Sequence, residues 1–122
     1  MAEKRTGARG EGYLELDGET YAILLTNRAI AEAEQATGKT ILQLLAAGAD
    51  NSLGMREVAA VMTVGLSWGQ REGLGTGRGA VQQNVWRLLD QLGFVACLEV
   101  VIEALSAVVD YRRKRDDIDP PV

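Results

Sequence analysis

The dipeptide Asp17-Gly18 constrains the folding of this chain more than any other feature of the sequence. It separates two short runs of strand-forming residues, and both central residues of a two-residue hairpin turn must accept positive φ, as Asp and Gly do. Closing the turn there pairs Leu16 with Glu19 and Leu14 with Tyr21. Because opposed residues share a face, the hairpin should carry one apolar surface, formed by Leu14, Leu16, Tyr21, Ile23 and Leu25.

The rest of the sequence has apolar residues at helical spacing. Thr26 or Asn27 is a candidate N-cap, and Gly38 and Gly93 are candidate helix ends. These signals predict a mainly α (α+β) fold, with an N-terminal β-hairpin followed by about five helices in one small domain. We expect this domain to span residues 11–115, with a flexible tail at 1–10 and a C-terminal tail at 116–122.

Composition narrows the possible classes of function. A net charge of −4 does not favour nucleic-acid or anionic-membrane binding, and the absence of His removes the commonest general base and metal ligand. A single Cys cannot form an internal disulfide and fits a reducing cytosol. The most apolar window, residues 94–109, contains Glu99 and Glu103, which favours a buried or half-buried helix over a membrane span. We therefore expect no nucleic-acid partner, no membrane partner and no metal.

The segment Ala33–Thr40 matches the permissive spacing of a phosphate loop, with Ala in place of the first Gly. Such a loop needs a strand before it and free backbone amides, whereas residues 27–37 look helical and Glu34 would place an anion in the cradle. Two short helices broken at Gly38 are the better interpretation. An NTPase stays as an alternative hypothesis, which ATP binding lost in Lys39→Ala would support.

The other candidate chemical sites are weak. The segment Gly75–Ala80 matches the loose dinucleotide fingerprint G-x-G-x-x-A without a preceding strand, so residues 67–79, with five glycines, are predicted to be a flexible connection. Cys97 lies in an apolar helix and is interpreted as a small buried hydrophobe. Trp68 and Trp86 are interpreted as core or interface aromatics. The sequence therefore predicts no catalytic residue, no cofactor and no enzymatic activity.

The order of several short patterns resembles a known family. Arg9-Gly10-Glu11, then Leu16-Asp17-Gly18, a second strand, and a helix carrying Glu34 before Gly38 resemble the small tail proteins of gene transfer agents and related siphophages. The run Glu57–Val61 leading to Gly65-Leu66, and Leu88 leading to Gly93, are also similar. The similarity covers about residues 9–110. The group meant is that of the tail assembly chaperones, which are sometimes called tail tube proteins.

The resemblance implies a function in phage-type tail morphogenesis. A tail assembly chaperone binds the long helical tape-measure protein, keeps it soluble and recruits tail-tube subunits around it. We expect the tape-measure and tail-tube proteins as partners, a cytoplasmic location in the bacterial host cell, and absence from the mature particle. The alternative is a structural component, either a tail-tube or a tail-terminator subunit, which would need a larger sheet than one hairpin supplies.

The expected partner-binding surface consists of apolar faces on the hairpin and on the last helix. That helix has one stripe through Phe94, Leu98 and Val108, widened by residues such as Val95 and Ile102, so more than half a turn is apolar. Such a helix is either central to the core or offers one face to a partner, including a second copy of the chain. The predicted contact residues are Tyr21, Ile23, Leu98, Ile102 and Leu105.

Overall fold

The computed structural model describes residues 9–118, and for residues 111–118 it describes the backbone alone. Within this range the predicted fold class is confirmed, because one antiparallel hairpin leads into five helices of a single small domain. The elements are β1 (Gly10–Leu16), β2 (Glu19–Leu25), α1 (Asn27–Thr37), α2 (Ile41–Ala49), α3 (Met55–Arg71), α4 (Val81–Leu92) and α5 (Phe94–Ile118).

The hairpin has the predicted register. Leu16 lies opposite Glu19, Leu14 lies opposite Tyr21, and the pairing continues to Gly10 opposite Leu25. Asp17 and Gly18 both have positive φ, at 55° and 79°. This is the backbone that a two-residue turn needs in order to match the twist of its two strands.

The apolar face of the hairpin packs on helices. α3 lies along β2 and α5 lies along β1. Ile23 and Leu25 are fully buried, and so are Val101 and Leu105 of α5. The opposite face of β2 is buried too, since Ala22 and Leu24 are also enclosed. β2 is therefore buried on both faces, although it is hydrogen-bonded to a neighbouring strand along one edge only.

Local capping determines where the helices begin and end. Thr26 is the N-cap of α1, and its Oγ1 accepts a hydrogen bond from the Ala29 amide at 3.0 Å. Gly38 ends α1 in the left-handed conformation with φ 74°, and Gly93, with φ 95°, separates α4 from α5. α5 continues to Ile118, beyond residue 115, the predicted end of the folded domain.

The glycine-rich connection differs from the prediction of a flexible linker over residues 67–79. α3 continues to Arg71, and the loop that follows lies along the outer edge of β2. The amides of Thr76 and Gly77 both donate to the carbonyl oxygen of Thr20 at 2.8 Å, and the Thr20 amide donates to Thr76 Oγ1 at 2.8 Å. The loop therefore supplies hydrogen-bond partners to an otherwise open strand edge.

The predicted tails fall mainly outside the described residues. Residues 1–8 and 119–122 lie outside the described residues. Of the remaining tail positions, Gly10 begins β1 and residues 116–118 belong to α5. Among the described helices, none by itself has both the length and the apolar character to cross a membrane; α4 and residues 94–110 of α5 meet that test only as a pair, bent by 119°.

The close contact between α3 and β2 predicts that Gly69 cannot be enlarged without cost. A Cβ at Gly69 would overlap the backbone carbonyl oxygen of Ala22. We expect Gly69→Ala to lower the free energy of unfolding by about 1–2 kcal/mol, because the overlap outweighs the better helix propensity of Ala. Urea unfolding followed by circular dichroism measures the change.

Gly48→Ala is the matched control for this substitution. A Cβ there would meet the flexible end of the Ile102 side chain, 2.6 Å from Cδ1, which can rotate away. The control should change the free energy of unfolding by no more than about 0.5 kcal/mol. Equal effects of the two substitutions would contradict the proposed backbone contact.

Candidate interaction surfaces

The segment Ala33–Thr40 joins three helices through its backbone and side chains. The Gly38 amide donates to the Glu34 carbonyl oxygen at 2.8 Å, which closes the last turn of α1. The Glu34 carboxylate accepts from the Ile41 amide at 2.8 Å, so a protein anion already lies at the start of α2. Lys39 Nζ reaches the Glu57 carboxylate of α3 at 2.6 Å. This stretch is a packing hub in the described structure.

The five predicted contact residues separate into two groups. Tyr21, Ile23 and Leu105 are buried in the core, so they offer no accessible side chain to a partner in this fold. The helices cover the hairpin face in this fold, and contact of these three residues with a partner stays a prediction. Leu98 and Ile102 are half-buried and line a groove, and their contact with a partner stays a prediction.

The α5 groove runs between the end of α2 and the outer face of α5. It encloses about 480 Å³ and is open to solvent. Because Gly48 has no side chain, the Ile102 side chain lies against the backbone of α2. Ile102 and Leu98 form the apolar floor of the groove. Val95, one turn before Leu98, is 63% exposed and continues the apolar strip. The lining residues are Gly48, Leu98, Glu99, Ile102, Glu103 and Ser106.

The rim of the α5 groove is acidic. Glu99 and Glu103 are four residues apart on α5, so they lie one helical turn from each other on the same side. Both are exposed, and neither forms an ion pair in the described part of the chain. A partner that presents a cation beside an apolar side chain would complement this groove.

A second exposed apolar feature lies on α4 and α3. Trp86 is 43% exposed and has a depression on each side, of about 410 Å³ and about 230 Å³. The smaller depression is lined by short side chains of α3, with Arg56 at its border. We call this surface the Trp86 ridge; it comprises the exposed residues Arg56, Gln82 and Trp86 and the half-buried Ala60.

A polar cluster connects α4 to the hairpin turn. Arg87 donates to Asp17 Oδ2 at 2.9 Å, to the Tyr21 hydroxyl at 3.2 Å and to Asn84 Oδ1 at 3.4 Å. The hydrogen bond with Tyr21 is the largest of the effects that raise the pKa of Arg87. Its neighbour in the sequence, Trp86, is 43% exposed.

Sequence reasoning did not include Trp86 in the predicted surface. The apolar stripe of α4 consists of Val81, Val85, Leu88, Leu89 and Leu92, and the structure buries Val85, Leu88 and Leu89 of this stripe. Trp86 lies about 100° from Val85 on the helix, at the flank of that stripe. A large aromatic residue at the flank of the stripe was the sequence signal that could have placed Trp86 at the surface. The other tryptophan, Trp68, is held by its Nε1 donating to Glu32 at 3.0 Å.

The described residues contain few groups suited to chemistry. No cluster of three or more His, Cys, Asp or Glu side chains that could hold a metal ion occurs among residues 9–110. Cys97 is buried, and burial raises the pKa of its thiol. A protonated, enclosed thiol is a poor nucleophile.

Comparison with known protein families gives one match, which covers residues 9–110. The matching family is described as phage tail tube protein, GTA-gp10. The matched range contains the hairpin, α1 to α4 and most of α5, and therefore both exposed surfaces. Neither curated proteins nor solved structures gave a match.

The ion pair between Lys39 and Glu57 predicts a pH-dependent contribution to stability. The pKa of Glu57 is lowered, first by the hydrogen bond from Lys39 and next by that from the Gly54 amide. A carboxylate with a lowered folded-state pKa stabilises the fold above its unfolded-state pKa, and this stabilisation is lost as the pH falls through the folded-state value. We expect Glu57→Gln to lower the free energy of unfolding at pH 7 by about 0.5–1 kcal/mol.

Urea titrations at pH 7 and near pH 3 provide the measurement. The difference between wild type and Glu57→Gln should shrink at the acidic pH, because wild-type Glu57 takes up a proton as the pH falls through its lowered folded-state pKa. Glu15→Gln is the control, since Glu15 is exposed and forms no ion pair in the described part of the chain. A Glu57→Gln difference that is the same at both pH values would rule out the charge as its cause.

Proposed function

The chain belongs to the family described as phage tail tube protein, GTA-gp10, and we propose that it is a structural subunit of a phage-type tail. The observation that carries this proposal is the family match over residues 9–110, which takes in almost the whole described fold. The tail in question belongs to a phage or to a gene transfer agent. Other tail subunits are the partners that membership of this family favours.

Two expectations from the sequence are wrong. The protein was expected to be a tail assembly chaperone that holds the tape-measure protein, and the family is instead one of tail tube proteins. It was also expected to stay in the host cytoplasm and to be absent from the mature particle. Tail tube proteins are components of the finished particle, so this location is corrected as well. The structural alternative agrees with the family.

The sheet of this protein is smaller than we expected of a tail-tube subunit. The described residues form one two-stranded sheet, and the loop after α3 covers part of the outer edge of β2. The assignment to a tail tube family therefore rests on the sequence match and not on sheet size. In our proposal the contacts between subunits are made by helix faces, namely the α5 groove and the Trp86 ridge.

The proposed function is structural and does not involve catalysis. It is supported by the packing of Ala33–Thr40 into a helical junction and by the buried thiol of Cys97. The tape-measure protein, which the resemblance implied as a partner, is proposed as a further contact of the assembled tail. That contact would be a lasting one inside the tail and not a transient one before assembly.

The proposal predicts that the protein is present in purified particles. Particles purified from a producing strain should contain this chain at a copy number comparable to that of other tail subunits, measured by quantitative mass spectrometry. Deleting its gene should yield particles without complete tails in electron micrographs. Particles with complete tails that lack the chain would overturn the proposal, as would wild-type particles from which the chain is absent. Deletion of an unrelated non-tail gene is the control.

A further inference from the structure

We propose that the loop after α3 is a displaceable strap, and that the strand edge beneath it accepts an extended, basic segment of another protein as a third strand. The strap comprises residues 72–80, between α3 and α4. This inference deepens the proposed tail function, on which it rests for its biological setting, by naming the kind of partner contact. The site itself is a property of the isolated protein, so it can be measured without particles.

The strap occupies the outer edge of β2 without forming a regular strand. The amides of Thr76 and Gly77 both donate to one acceptor, the Thr20 carbonyl oxygen, and the acceptor for the Thr20 amide is the Thr76 hydroxyl. A strand at this edge would instead offer Thr20 a backbone carbonyl and a single amide, and would continue the ladder to the next outward residue. The strap therefore satisfies the edge of β2 at one residue only.

The Ala22 amide provides a driving force for replacing the strap by a strand. Ala22 lies two residues after Thr20, so its N–H points to the same outer edge. The residue is 4% exposed, and its amide has no acceptor among residues 9–118. The strap places Gly75 beside this amide without a hydrogen bond. A buried N–H without an acceptor is unfavourable, and an added strand would supply the missing carbonyl.

Few side chains hold the strap in place. Gly77 is its one buried residue, and Leu74 is its one half-buried residue with an apolar side chain. Opening the strap uncovers the Tyr21 ring, which Gly77 contacts, and an incoming strand would cover that ring again. A segment with so few buried apolar contacts can open locally while the rest of the domain stays folded.

The position of this edge determines the chemistry of the partner. α3 covers the edge beyond Ala22, because Gly69 lies against the Ala22 carbonyl oxygen. The site is therefore short and adjoins the hairpin turn. Glu15 and Glu19 are exposed there and form no ion pair in the described part of the chain. A short extended segment with a lysine or arginine beside the turn complements this edge in hydrogen bonding and in charge.

Titration of the isolated protein with a strand-forming peptide tests this site. The probe is an acetylated and amidated peptide of alternating threonine and valine with a lysine at each end. Amide hydrogen exchange followed by NMR should show that Ala22 gains protection while Thr76 and Gly77 lose it, because the peptide takes the place of the strap. A peptide N-methylated at alternate amides keeps one free edge and should bind, whereas methylation of every amide should abolish binding.

The charge of the probe tests the predicted chemistry of the partner. Replacing the terminal lysines by glutamates should weaken binding about fivefold, because Glu15 and Glu19 then face like charges. Equal affinities of the two peptides would overturn the basic character of the partner.

Two glycines of the strap provide a matched pair of variants. A Cβ at Gly75 would lie 2.5 Å from the Thr20 carbonyl oxygen, whereas a Cβ at Gly73 would meet nothing within 4 Å. Both glycines have positive φ, at 68° and 74°, so alanine introduces similar backbone strain at each. Gly75→Ala should bind the peptide about tenfold more tightly than Gly73→Ala, because its strap is open in more molecules. Thr76→Val, which removes the acceptor of the Thr20 amide, should bind about fivefold more tightly than wild type.

The remaining outcomes separate this inference from the proposed function. The inference is overturned if the folded variants, checked by circular dichroism, bind no peptide, if the fully methylated peptide binds equally well, or if Ala22 gains no protection at saturation. It is also overturned if variants with an open strap pair their β2 edges with each other, seen by sedimentation velocity, and do not bind the peptide. In each of these cases the proposed function survives if the chain is still found in purified tails. Absence from tails together with peptide binding would overturn the proposed function alone.

Discussion

Close approach between the hairpin and two helices is the constraint on which the rest of this structure depends. Gly10 and Gly12 of β1 face α5, where a Cβ at Gly10 would overlap the Ala104 carbonyl oxygen. Gly65 and Gly69 of α3 face β2 in the same way. Side chains at these positions would push the helices away and open the core around the hairpin. A two-stranded sheet, marginal by itself, is thus stabilised by helices packed closely against it.

This arrangement explains where the protein can contact others. Apolar residues of the hairpin, such as Tyr21 and Ile23, are buried in the core. Residues that face away from the hairpin remain available, and they lie on the outer side of α5 and at the flank of α4. Glu99 and Glu103 of the α5 groove and Arg56 of the Trp86 ridge give these two exposed features opposite charges.

The junction around Gly38 shows how a sequence pattern and a structure can differ in meaning. Ala33–Thr40 has the residue spacing of a phosphate loop, but its backbone follows α1, a left-handed glycine and the cap of α2. The Glu34 carboxylate of α1 accepts from the Ile41 amide at the start of α2, and Lys39 is paired with Glu57 of α3. Glu34 and Lys39 therefore connect three helices.

The sequence by itself determined the features that depend on near neighbours. Asp17-Gly18 specified the turn and the register, and Thr26, Gly38 and Gly93 specified helix ends, because each acts through its own φ or through hydrogen bonds within a few residues. Tertiary structure alone decided which part of the apolar surface of α5 is covered, and that the loop after α3 lies on β2. A helix that is apolar over more than half a turn does not specify which side is buried. That choice depends on residues distant in the sequence, such as Gly10 and Gly12 of β1, whose missing side chains decide how closely β1 approaches α5.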